Sequence, residues 1–116
     1  MLAKMDCIFC KIVNGEIPSK KVYEDEHVVA FHDINPIAPV HVLMIPKKHI
    51  QSVLAIEPED KELIGHLHLS LQKVADEMGV TEQGFRIVTN IGEHGQQTVF
   101  HLHYHLIGGK QLKWTM

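Results

Sequence analysis

The chain divides into short apolar runs separated by polar segments rich in glycine, proline or charge. In "HVLMIPK", residues 41–47, a continuous apolar run closed by proline is typical of a buried strand. Two β-rich runs in "KKVYEDEHVVAFHDI" flank Asp25 and Glu26 and predict a hairpin. "GFRIVTN" and "TVFHLHYHLIGG", on either side of the polar loop "IGEHGQQ", predict two further strands. The apolar pattern thus predicts five strands.

Two segments have the apolar spacing of a helix. The short segment "CIFCKIVNGEIPS" places its apolar residues on one helical face before Asn14-Gly15, a typical C-terminal cap. A longer helix of about five turns is predicted to begin near Pro58 and to end at Gly79. The order of elements predicts one α+β domain over residues 1–116, with a mainly antiparallel sheet that carries the helices on one face.

Composition narrows the possible functions. The 116 residues are 45% hydrophobic and 22% charged, which is typical of a folded domain. A net charge of -3 argues against the broad phosphate-binding surface that duplex nucleic acid requires. The chain shows neither an N-terminal signal sequence nor an apolar stretch of about 20 residues, so we expect a cytoplasmic protein without membrane or nucleic-acid partners. The two cysteines, Cys7 and Cys10, have a spacing that suits a shared metal ion or a redox pair better than a disulfide framework.

The run "VFHLHYHLIGG" places three histidines at two-residue spacing among apolar residues. Because side chains alternate between the faces of a strand, His101, His103 and His105 are predicted to share one face. Residues two apart are separated by roughly 6.5 to 7 Å, so the three imidazoles cover about 13 Å. This length matches a phosphate ester together with its leaving group.

Three interpretations of this pattern remain open from the residues alone. The histidines could be partly buried and bonded to nearby backbone, but burying three titratable groups together is costly. They could form a zinc site, although the third ligand of such a site usually comes from another element. They could instead act at phosphorus, with one imidazole as nucleophile and its neighbours positioning protons and phosphoryl oxygens.

"HLHYHLI" fits the histidine-triad pattern of three histidines alternating with apolar residues. Together with "FHDINPIAPVHVLMIPKKH" and "CIFCKIVNGEIPSKKVYEDE", it resembles the Hint branch of the histidine-triad nucleotide-binding proteins from Asp6 to Trp114. The resemblance implies a five-stranded α+β protomer with two helices that dimerises into a ten-stranded sheet. It also implies binding of purine nucleoside monophosphates such as AMP. The implied reaction is hydrolysis of adenosine 5′-monophosphoramidate-type substrates and acyl-AMP through a nucleotidyl-histidine intermediate.

The resemblance assigns catalytic roles to five residues of this chain. His103 matches the nucleophile, and His105 matches the histidine that contacts phosphate oxygens and transfers a proton to the leaving amine. His101 is expected to orient its neighbours. His41 corresponds to a fourth, upstream histidine, and Thr98 to a Ser or Thr whose hydroxyl reaches the phosphate or the leaving group.

The resemblance also implies a nucleotide-binding set. Asp33 matches the acidic residue that accepts hydrogen bonds from both ribose hydroxyls. The expected base slot lies beside His32 and consists of Ile8, Phe9, Ile12, Phe31 and Ile34. The expected phosphate contacts are Asn90, Gln97, Thr98, Val99, His103 and His105. Where the family commonly has Gly-Gly-Gln, this chain has Gly95-Gln96-Gln97, which puts the conformation of the phosphate loop in question.

Some bacterial members of the wider family hold a structural zinc ion that catalysis does not require. The matching positions here are Cys7, Cys10, His49 and His101, a Cys2His2 set suited to tetrahedral zinc. The C-terminal segment resembles one that crosses toward the partner's active site, so Trp114 is either a substrate contact or a terminal aromatic residue without that role. Two other functions stay open: a nucleotide-binding regulatory protein with incidental hydrolysis, and a nucleotidyl transferase.

Overall fold

The computed structural model describes residues 7–115, so Asp6, where the resemblance begins, lies outside the described residues. Two 3-10 turns, Val53–Ala55 and Pro58–Asp60, precede the long helix. The helices and strands are, in chain order, α1 Ile8–Val13, β1 Lys21–Glu24, β2 Val28–His32, β3 Val40–Pro46, α2 Lys61–Glu77, β4 Phe85–Val88 and β5 Tyr104–Gly108. Each predicted helix and strand is therefore present, with boundaries that differ by a few residues.

The five strands form one sheet in the order β1-β2-β3-β5-β4. All four neighbouring pairs are antiparallel, which confirms the predicted sheet. In the β3–β5 pair, Leu43 lies opposite His105 and His41 opposite Ile107. Since paired residues share a face of the sheet, this register brings His41 and His105 to the same surface.

Each face of the sheet has its own apolar core. On one face α2 packs against alternate strand residues, including Val28, Val42, Met44 and Leu106, and against Leu102 just before β5. On the other, α1 packs against the intervening residues, Val29, Phe31, Leu43 and Ile45. The expectation that both helices cover one face is therefore wrong. β2 and β3 are apolar at consecutive positions, so both of their faces need cover from water.

The long helix begins three residues later than Pro58. The intervening 3-10 turn is closed by Asp60, whose carboxylate accepts a hydrogen bond of 2.9 Å from the backbone N–H of Glu57. At the other end the helix stops before Gly79, whose φ of 72° is favourable for glycine. Within residues 7–115, no helix has both the length and the apolarity needed to cross a membrane.

The strand that carries the histidines is shorter than predicted. β5 begins at Tyr104, so His101 and His103 lie on irregular backbone just before it. The alternation of faces nevertheless continues, because Leu102 is buried in the core under α2. Phe100 does not join that core, and 39% of its surface is exposed.

Candidate functional site

A groove of about 850 Å³ opens on the α1 face of the sheet. This volume lies within the usual range for a small-molecule site. Its walls combine apolar side chains with a few polar groups, among them Asp33 and His41. The groove is lined by all seven residues expected to contact the nucleoside: Ile8, Phe9, Ile12, Phe31, His32, Asp33 and Ile34.

His103 is buried beside this groove, with its ring centroid 5.1 Å from that of Phe9. Its Nδ1 lies 2.8 Å from the backbone oxygen of His101. A carbonyl can only accept, so Nδ1 carries the proton and the lone pair of the neutral ring is on Nε2. Burial lowers the pKa of His103, against the opposing effects of this hydrogen bond and of Asp33, and favours the neutral form.

His41 and His105 form a short hydrogen-bonded chain. The backbone N–H of Ile37 donates to His41 Nδ1 at 3.2 Å, so the proton of neutral His41 is on Nε2. This Nε2 lies 2.9 Å from His105 Nδ1 and 3.4 Å from Asp33 Oδ2. When it donates to His105, the proton of neutral His105 must be on Nε2 of that ring. The arrangement gives His105 an N–H group to donate.

The pKa of His105 is also strongly lowered. Burial, with smaller contributions from the neighbouring His103 and His41, lowers its pKa to about 4, against the opposing effect of Asp33. Its ring centroid is 5.2 Å from that of His103. His103 and His105 are therefore adjacent neutral imidazoles. Nε2 of His103 is unprotonated, whereas Nε2 of His105 carries a proton.

His101 is oriented differently from the other two triad histidines. Its ring is fully buried, and burial lowers its pKa to about 4. Its Nε2 donates to the backbone oxygen of Pro46 at 2.8 Å, while Nδ1 lies 3.3 Å from Cys7 Sγ and 3.5 Å from Cys10 Sγ. Its ring therefore faces the thiols, and its backbone oxygen is the atom bonded to His103.

Cys7, Cys10, His49 and His101 converge as the metal prediction required. Cys10 Sγ lies 3.2 Å from His49 Nδ1, and the four donor atoms all lie within 4.8 Å of one another. Tetrahedral zinc with bonds of about 2.0 to 2.3 Å separates its ligands by about 3.3 to 3.8 Å, so the donors fit with small shifts. The hydrogen bond from His101 to Pro46 also leaves Nδ1 as the coordinating nitrogen.

None of the six expected phosphate contacts is among the residues that line the groove, and of these six His103 and His105 lie beside it, next to Phe9 and His41. Gln97 is buried, and its amide donates to the backbone oxygens of Gln51 and Val99 at 2.7 and 3.1 Å. Its side-chain oxygen accepts from Gly92 N at 3.0 Å. The Asn90 amide is bonded to Gly95 O at 2.8 Å. Both side chains brace the 91–97 loop, and neither they nor Thr98 and Val99 are among the residues that line the groove.

Several groups at the site carry no signal in the sequence. The partners of His41 and His101 are a backbone N–H and a backbone oxygen, which residue types do not reveal. Thr89 Oγ1 donates to His103 O at 2.8 Å, a contact that depends on strand register. Trp114, the candidate substrate contact in the C-terminal segment, is 96% exposed.

Comparison with known proteins gives consistent results. A family model described as the scavenger mRNA decapping enzyme C-terminal binding family matches residues 6–114. An uncharacterized HIT-like protein of Synechocystis is 51% identical over 109 residues, covering 94% of this chain and 95% of its own.

Solved structures agree. A HIT family hydrolase from Clostridium thermocellum has a TM-score of 0.92 and 49% identity, covering 96% of each chain. A histidine triad nucleotide-binding protein from Candida albicans has a TM-score of 0.81 and 33% identity, covering 95% of this chain and 83% of its own. Given a full-length family match and these identities, the chain belongs to the histidine-triad family.

Proposed function

We propose that this protein is a purine nucleoside phosphoramidase of the Hint branch. Its substrates are adenosine 5′-monophosphoramidate-type compounds and acyl-AMP, and its product is the nucleoside monophosphate. The observation that carries the proposal is the hydrogen bond from His103 Nδ1 to His101 O, which leaves an unprotonated Nε2 beside a nucleoside-sized groove. The names of the two similar structures, a hydrolase and a nucleotide-binding protein, support the same class of activity.

The reaction follows from the two adjacent imidazoles. His103 Nε2 attacks phosphorus, an N–P bond forms to His103, and the phosphorus–leaving group bond breaks. The Nε2–H of His105 protonates the departing amine and is replaced by a proton from water, while the Nε2–H of His41 holds the ring of His105 in place. Water next attacks the phosphorus of the nucleotidyl-histidine and loses a proton to solvent, the N–P bond to His103 breaks, and the monophosphate is released.

The groove supports the proposal that the ligand is a nucleoside. Its apolar walls, with the Phe9 and Phe31 rings in edge contact at 5.7 Å, suit a planar base. Asp33 is half-buried at the end of β2, and its two carboxylate oxygens can accept from the two ribose hydroxyls. A ribose bound there would direct its 5′-phosphate toward the histidines, since His41 Nε2 lies 3.4 Å from Asp33 Oδ2.

Single-turnover hydrolysis of adenosine 5′-monophosphoramidate tests the proposal. The wild type is expected to release AMP, whereas His103→Ala loses at least about 10³-fold in rate while its affinity for AMP changes little. His105→Ala should accumulate a covalent AMP adduct that mass spectrometry places on His103. His27→Ala, an exposed histidine in the β1–β2 turn, is the matched control and should retain the wild-type rate.

The other functions give different results in the same assay. A wild type that binds AMP but releases no product would be a nucleotide-binding regulatory protein. A product formed only with an added phosphate acceptor would identify a nucleotidyl transferase. Either result contradicts the hydrolase proposal.

We further propose that Cys7, Cys10, His49 and His101 hold a structural zinc ion. When bound, the ion would cross-link α1 to the segment that carries the three histidines, residues 101–105, and it would take no part in the chemistry on the substrate.

We also propose a homodimer joined at β4, an edge strand of the sheet whose Ile87 is 39% exposed. Sedimentation equilibrium should then give twice the 13.2 kDa chain mass.

A further inference from the structure

The proposed nucleophile lies on backbone that the sheet does not hold. The last pair of the β4–β5 ladder is Val88 with His105, so the peptide groups of His101 and His103 have no strand partner in it. Irregular backbone next to a catalytic atom must be fixed by other bonds if that atom is to keep its place.

Individual hydrogen bonds replace the ladder in this segment. Leu102 N donates to Ile50 O at 2.6 Å, and His101 Nε2 donates to Pro46 O at 2.8 Å. His103 itself is held twice. Its Nδ1 donates to His101 O, and its backbone oxygen accepts from Thr89 Oγ1 at 2.8 Å.

Thr89 is the residue immediately after β4, where the ladder stops. Beyond the last ladder pair, the Thr89 hydroxyl donates to the backbone oxygen of His103, where a longer ladder would use a backbone N–H. This bond continues the connection between β4 and the backbone that carries His103. Thr89 is half-buried and its hydroxyl donates to the backbone oxygen of His103, so the hydroxyl acts on the backbone of the proposed nucleophile.

We propose that Thr89 is a positioning residue for the nucleophile: its hydroxyl fixes the peptide of His103 and thereby aims His103 Nε2 at the substrate phosphorus. This inference rests on the proposed function as far as catalysis is concerned. Without the hydroxyl, the His103 carbonyl loses its partner and the peptide can rotate. An error of about 1 Å in the position of a reacting atom can cost about 10²-fold in rate.

Two substitutions separate the hydroxyl from the bulk of the side chain. Thr89→Val keeps the shape and removes the donor, whereas Thr89→Ser keeps the donor. We expect Thr89→Val to lower the rate of nucleotidyl-histidine formation by about tenfold or more, with AMP affinity within about twofold of wild type. Thr89→Ser should recover most of that rate. Thr81→Val, which removes a hydroxyl bonded to Asp76 far from the triad, is the matched control and should leave the rate unchanged.

A second measurement does not require activity. In protein labelled with 15N histidine, NMR reports which ring nitrogen of His103 carries the proton and how fast that proton exchanges with water. We expect a single, protected Nδ1–H signal in the wild type and Thr89→Ser, and faster exchange in Thr89→Val.

The outcomes are distinguishable. If the wild type shows no turnover, the proposed function fails, and the NMR comparison still decides whether Thr89 holds His103. If Thr89→Val reacts at the wild-type rate with an equally protected Nδ1–H, or if Thr89→Ser is as impaired as Thr89→Val, the positioning role is wrong.

Discussion

The rings of His101, His103 and His105 have three different sets of hydrogen-bond partners. His101 faces two thiols, His103 keeps an unprotonated Nε2 beside the groove, and His105 is bonded to His41. The residue types and their spacing predicted that these side chains work together. The protonated nitrogen of each ring could not be predicted, because it depends on backbone groups such as Pro46 O and Ile37 N, which the fold alone brings close.

The 91–97 loop holds one residue in a strained backbone conformation. Gln96 has a φ of 60°, in the left-handed region that favours glycine. Gly95 before it has no room for a side chain, because a Cβ there would lie 2.4 Å from the Ile91 backbone oxygen. The loop therefore needs glycine at 95 and tolerates glutamine at 96 with some strain.

Gln96→Gly should consequently raise the free energy of unfolding. Relief of about 1 to 2 kcal/mol of left-handed strain exceeds the added backbone entropy of glycine, about 0.5 to 1 kcal/mol, so the expected gain is about 0.5 kcal/mol. Gly95→Ala should instead destabilise by about 1 to 3 kcal/mol because the backbone must shift. Urea unfolding followed by circular dichroism measures both changes. A loss of stability in Gln96→Gly would contradict the strain argument.

At the scale of elements, the β1–β2 hairpin is closed by one carboxylate. Asp25 Oδ1 accepts from the backbone N–H groups of His27 and Val28, at 2.8 and 2.9 Å. Its Oδ2 accepts from Tyr23 Oη and lies 2.7 Å from His66 Nε2, which ties the hairpin to α2. Burial alone would raise the pKa of Asp25, but these hydrogen bonds hold it well below its usual range.

Asp25→Asn should therefore lower stability in a pH-dependent way. A carboxyl with a lowered folded-state pKa stabilises the fold above its unfolded pKa of about 3.9, and this contribution disappears as the pH falls through the folded-state pKa. We expect the variant to be less stable than wild type by about 1 to 2 kcal/mol at pH 7 and by progressively less toward pH 2.

Urea unfolding at several pH values between 2 and 7 measures this difference. Glu26→Gln makes the same change of charge at the exposed neighbouring position and should stay within about 0.5 kcal/mol of wild type throughout. A difference between Asp25→Asn and wild type that is constant with pH would mean that the carboxylate charge is not what stabilises the hairpin.

The elements themselves were largely predictable, and their exceptions have a common cause. The 3.6-residue spacing identified α2, and the apolar runs identified all five strands. The apolar pattern does not show where β5 begins, because strand pairing depends on distant partners: Leu102 N is bonded to Ile50 O and not to a strand. The same holds for the side on which α1 packs, since a short apolar helix does not show which face of a sheet it will cover.

At the scale of the whole molecule, the four possible metal ligands connect three separate segments. Cys7 and Cys10 belong to the start of α1, His49 follows β3, and His101 precedes β5. A metal ion bound there would restrain all three segments at once, in a chain whose described cysteines are not joined by a disulfide.

Removing zinc should therefore lower the melting temperature of the whole protein. We expect about one zinc ion per chain in purified protein and a fall of at least about 5 °C in Tm after chelation, reversed by added Zn²⁺. Elemental analysis and circular dichroism melting give both values. Cys10→Ser should lose the metal, whereas His66→Ala, at a histidine outside the cluster, should retain it. Purified protein without stoichiometric zinc and with a Tm insensitive to chelator would contradict the proposal.

The exposure of Trp114 determines what fluorescence can report. It is the chain's single tryptophan, and at 96% exposure its indole is surrounded by water in the folded protomer. Unfolding changes that environment little, so tryptophan emission is expected to change little when the protein unfolds. For the same reason, a blue shift on addition of nucleotide or at higher protein concentration would arise from the C-terminal tail, which makes residue 114 a native probe of whatever that tail contacts.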